Sequence, residues 1–177
     1  EEISEELRIK TMSTYMYLND PVDAFPVLLG HLKADTCKLV SAALSNCICY
    51  LPKPFVVKLL SNAFHAQDAV KQRGLAGMKT LVGLLAQIWD KAAVIELNSI
   101  WNSEKIHRDI RATVAKNIIH FIDYQEDEVQ KIVWTILNEM ADTKYAPIAS
   151  FLFDMSKSAY SAETTARICS LQLKALE

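Results

Sequence analysis

Glycine and proline are scarce in this chain, four and five among 177 residues, and no stretch alternates apolar and polar residues over the length of a strand. That sets aside turn-rich β architectures, collagen-like repeats and low-complexity disorder. No apolar run is long and uninterrupted enough to cross a bilayer, and no signal-peptide pattern is visible, so a membrane partner is not expected. Cysteine is limited to Cys37, Cys47, Cys49 and Cys169, with no Cys-x-x-Cys pair. Cys47 and Cys49 would stand about 200° apart around a helix and could not clamp one ion. Buried, reduced thiols in a cytoplasmic protein are the expectation, with no metal site and no disulfide framework. Charge of one sign is also lacking: the net charge is −2 and the sequence pI about 6.1, which gives no global attraction to nucleic acid or anionic lipid. P-loop, G-x-G-x-x-G and G-x-S-x-G motifs are missing, and His31, His65, His107 and His120 fall in four separate elements. We therefore expect neither an enzyme nor a cofactor.

What is present is helical period. Hydrophobic residues make up 51% of the chain, ample for a core. The stretch Ser103–Asp123 places Ile106, Ile110, Val114, Ile118 and Phe121 on one stripe and Ala112, Ala115, Ile119 and Ile122 on a second beside it. Two stripes imply burial against two neighbours, and Ser103 is the expected N-cap. Elsewhere an opening helix is expected over Glu1–Leu18. Asp20-Pro21 should start a second that tolerates Pro26 near its first turn, and Asp35 a third running to Leu51. Pro54, Asp68 and Asp90 mark further starts. Amphipathic segments at Glu126–Met140, Tyr145–Met155 and Ala162–Leu176 complete an all-α chain of about ten helices with short connectors. Trp89, Trp101 and Trp134 sit on or beside apolar stripes and should pack in the core.

Three of the longer segments align without a gap: residues 39–51, 73–85 and 110–122, offset by 34 and then 37 positions. Cys47, Leu81 and Ile118 coincide, as do Leu51, Leu85 and Ile122, and a short helix precedes each copy. Ala42, Ala43, Ala76 and Gly77 are small enough to let helices approach closely, and Gly74, Gly77 and Gly83 are expected inside a helix at such approaches. The pattern resembles HEAT repeats over most of residues 20–158. The best local match is Asp109-Ile110-Arg111 followed by Ala112 and Ala115, which is similar to the Asp, Val-Arg and Ala pattern of the second HEAT helix. The resemblance implies a right-handed α-solenoid of about four to five helical hairpins, spanning 1–177 as one repeat domain or as a piece of a longer array. It also implies a structural role for Arg111. The His-Glu dipeptides of iron-binding HEAT hydroxylases are missing.

In a HEAT-like solenoid the second helices line the concave surface. Their polar columns bring forward Lys79 and Lys116, with Asn46, Thr80 and Asn117 beside them and His120 one turn on. The charge balance points the same way: Lys71, Arg73 and Lys79 against Asp68 give +2, and Lys105, Arg108, Arg111 and Lys116 against Asp109 give +3, whereas the short helices are acidic. The expected function is a non-enzymatic scaffold that binds an acidic protein or peptide segment on this ledge. The alternative is a nucleic-acid-binding, glycosylase-like HEAT domain touching phosphates through Lys71, Lys79, Lys105 and Lys116.

Overall fold

The computed structural model describes residues 4–142, Phe151 and residues 160–176. All regular structure among them is helical: α1 Glu5–Leu18, α2 Pro21–Gly30, α3 Cys37–Ile48, α4 Lys53–His65, α5 Ala69–Ala86, α6 Lys91–Trp101, α7 Arg108–Ile118, a 3-10 turn Ile119–Phe121, α8 Asp127–Asp142 and α9 Ala162–Leu176. The helix expected over Tyr145–Met155 lies outside the described residues, apart from Phe151, which is helical. The chain divides into two compact units, Glu1–Leu97 and Asn98–Glu177.

In the first unit the starts follow local chemistry. The Asp20 side chain accepts from the amide of Val22 at 2.9 Å, and Pro21 takes the first helical position, where a missing N–H costs nothing. Pro26 is carried inside α2 as its sequence position foretold. Asp90 caps α6 by accepting from the amide of Ala92. For α3 the cap is Thr36 rather than Asp35, and the helix stops at Ile48 instead of reaching Leu51. α1 packs on α2 and α3, α3 also meets α5, and α4 lies on α5. Phe25, Leu32, Leu44, Leu60, Leu81 and Leu85 are fully buried there. Each such side chain contributes about 1.5–3 kcal/mol of hydrophobic transfer energy.

Gly74 corrects the expectation of an unbroken helix. It adopts φ +63° and ψ 176°, so α5 is two helical segments joined at a break. Only glycine takes this backbone freely, and a Cβ here would also come to 3.1 Å from the Cβ of Ala34. The break swings Arg73 towards α2, where its Nη1 donates to the carbonyls of Leu29 at 2.9 Å and Leu32 at 3.1 Å. The Leu29 carbonyl also accepts from the amide of Leu32 at 3.2 Å, so the guanidinium adds a second donor at the exit of α2. At Gly77 a Cβ would stand 2.8 Å from the Cβ of Arg73, a residue of α5 itself, and 3.9 Å from the carbonyl oxygen of Leu32, whereas Gly83 has open space around it.

The second unit begins its long helix later than the sequence suggested. Ser103 is not the cap of α7; His107 is, its Nδ1 accepting from the amide of Asp109 at 3.2 Å. The carbonyl of Ser103 instead accepts from Nη2 of Arg111 at 2.7 Å, which ties the connector down to the helix it precedes. After Ile118 the helix tightens into the 3-10 turn, and the carboxamide of Gln130 donates to the carbonyls of Phe121, Ile122 and Tyr124 at 3.2, 2.6 and 2.8 Å. Val129, Val133, Ile136, Leu137 and Met140 form the buried stripe of α8. Trp101 and Trp134 are buried as expected, whereas Trp89 is 47% exposed: it follows the end of α5 in a turn, where helical period no longer sets its direction. Only Cys47 is a buried thiol. Cys37 is half-buried, Cys49 and Cys169 are exposed, and all four are unpaired.

The three aligned segments share part of a burial pattern. The columns 43/77/114, 44/78/115, 47/81/118, 48/82/119 and 51/85/122 are buried in every copy. The columns 42/76/113, 45/79/116, 46/80/117 and 49/83/120 are buried in none. The remaining columns, 39/73/110, 40/74/111, 41/75/112 and 50/84/121, differ in burial between the copies.

Candidate functional site

The six ledge residues divide between the units. In the first, Asn46 is exposed on α3 and its carbonyl accepts from the thiol of Cys49 at 3.5 Å. Lys79 and Thr80 are half-buried on α5, and the Thr80 hydroxyl turns back to donate to the carbonyl of Ala76 at 3.0 Å. In the second unit Lys116 and His120 are exposed, and half-buried Asn117 donates to the carbonyl of Thr113 at 2.8 Å. Lys116 and His120 lie one turn apart, so one side of α7 and its 3-10 extension presents both with Asn117 between them. Arg111 and Arg73 serve architecture, each spending guanidinium donors on backbone carbonyls; burial lowers the pKa of Arg73 from its ordinary value.

A second constellation lies wholly in the second unit, and sequence reasoning missed it. The outward face of α8, flanked by Arg167 from α9, lines an open groove of about 520 Å³. The buried indole of Trp134 is part of its lining, and the guanidinium carbon of Arg167 lies 3.7 Å from the ring centroid. That is within the range of a cation–π contact. The indole N–H donates to the Gln130 side-chain oxygen at 3.1 Å, and Gln130 is itself fixed by three carbonyls, so the ring plane is held from behind. Lys131 and Thr135, one helical turn apart on α8, also line the groove. Towards the end of the helix, Glu139 accepts from the indole N–H of Trp101 at 2.6 Å and Asp142 pairs with Lys174 at 2.7 Å. Arg167 and Trp134 are 33 positions apart on separate helices, and nothing in either local pattern signals the pairing.

No family model, curated protein or solved structure shows a significant match to the chain. The geometry therefore carries the functional reading.

Proposed function

We propose that the chain is a HEAT-like α-solenoid interaction module of the cytoplasm, a non-enzymatic scaffold that binds an acidic protein segment through the polar columns of its repeat helices. The observation that supports this is the shared part of the burial pattern: five columns serve the core in all three copies, and 45/79/116, 46/80/117 and 49/83/120 lie outside the core in each. Asn46, Lys79 and Thr80 are the first unit's share, and Lys116, Asn117 and His120 the second's. The four unpaired thiols support a reducing compartment.

Display selection of random peptides on the immobilised protein tests the reading. Selected peptides should be rich in Asp and Glu, and should bind the Lys79→Glu/Lys116→Glu variant about tenfold or more weakly, with circular dichroism showing both proteins equally folded. Equal binding to the folded variant removes the columns from consideration. The alternative, nucleic-acid binding through Lys71, Lys79, Lys105 and Lys116, rests on the exposure of Lys71, Lys105 and Lys116. It requires a duplex affinity that falls steeply with salt, with a log–log slope of about −0.9 per phosphate contacted.

A further inference from the structure

We propose that the α8–α9 groove is an oxyanion-binding site, in which Arg167 grips a carboxylate or phosphate carried by a peptide whose flanking residues are basic. The site is separate from the polar columns and stands whether or not they bind anything.

Three observations carry it. The first is a guanidinium already in place: the guanidinium carbon of Arg167 lies 3.7 Å from the Trp134 ring centroid, and among the described residues nothing accepts a hydrogen bond from it. Stacking uses the face of the guanidinium and leaves the N–H groups at its edge, the part that forks onto a carboxylate or phosphate. Because Trp134 is anchored through Gln130, much of the entropy of holding the arginine in one pose is lost on folding rather than on binding. The second is company: Lys131 and Thr135, on the same face, add an ammonium and a hydroxyl donor, and both are exposed. The third is the charge pattern along the helix. Asp127 stands at one end of the lining and Glu139 and Asp142 towards the other, Asp142 already paired with Lys174. A polyanion running the groove would meet a carboxylate at each end, whereas one anionic group between cationic neighbours would find opposite charge along the whole length. An open groove of about 520 Å³ suits an extended segment.

The test uses the full chain and three blocked peptides: acetyl-Lys-Lys-Glu-Lys-Lys-amide, the same with phosphoserine in place of glutamate, and the same with alanine. Calorimetry gives the affinities, and the indole N–H resonance of Trp134 reports the site. The glutamate or the phosphoserine peptide should bind about tenfold or more tightly than the alanine peptide and shift that resonance; whichever does so identifies carboxylate or phosphate as the recognised group. Arg167 is exposed, so Arg167→Ala should fold normally, checked by its melting curve, and lose the preference. Arg167→Lys should keep the charge yet lose most of it, because an ammonium cannot fork. Lys79→Glu/Lys116→Glu should leave it intact, which separates this site from the columns. Equal affinity for all three peptides, an unchanged preference in folded Arg167→Ala, or tighter binding of a DNA duplex than of either anionic peptide overturns the proposal.

Discussion

Arg73 holds the carbonyl of Leu29 at 2.9 Å across 44 positions of chain, and it can do so because the residue after it is the one glycine with a positive φ among the described residues. The same guanidinium takes Leu32, so one side chain closes the exit of α2. Arg73→Ala should leave those carbonyls without the donor and cost about 1–3 kcal/mol. Gly74→Ala should cost about 1–3 kcal/mol through backbone strain and the 3.1 Å approach to Ala34. Urea unfolding monitored by circular dichroism measures both. Because the two residues act on one feature, the double variant should lose less than the two single losses added together.

Ala43 and Ala76 were equivalent as small residues in the sequence and are not so in the fold. Ala43 is fully buried and Ala76 is exposed. Ala43→Leu should therefore destabilise the protein by about 1–3 kcal/mol through overpacking. Ala76→Leu should stay within about 0.5 kcal/mol of the parent. Thermal melts of the two variants side by side decide it.

The thiols should separate by reactivity. Cys49 and Cys169 should react with a thiol reagent in the native protein, and Cys47 only after denaturant is added. Burial, and secondarily the neighbouring Cys49, pushes the Cys47 thiol above its ordinary range. The native state then holds a proton that the unfolded chain releases, so this contribution to stability is complete below the unfolded thiol's value of about 8.5 and is lost as pH rises above it. Urea midpoints across that range should fall with pH, and Cys47→Ala should flatten the decline.

Gln130→Leu should remove the donor to Phe121, Ile122 and Tyr124 together and the acceptor for the Trp134 indole. A loss of about 1–3 kcal/mol is expected, with a change in tryptophan emission as its signature.

How far the sequence foretold all this can be read from particular residues. The limits Ala162–Leu176 match the sequence reading, and Asp20-Pro21 and Asp90 announced their helices, because a capping side chain acts on amides two or three positions away and needs no tertiary partner. Serine before an apolar run is the commoner capping signal, but α7 takes the imidazole nitrogen of His107 instead. Gly74 hid because helical period continues on both sides of the break. Trp89 was placed inside by a period that had already ended at Ala86. The Arg167–Trp134 stack depends on α8 and α9 meeting, and that meeting is a property of the folded unit rather than of either helix.

The corner between α7 and α8 is fastened from downstream, since the amide that holds its three carbonyls belongs to the helix that comes after it. During synthesis on the ribosome the turn would emerge before its clamp. Until the first coils of α8 have wound, the turn has only its own backbone bonds, Ile122 to Ile119 and Tyr124 to Phe121, to hold it.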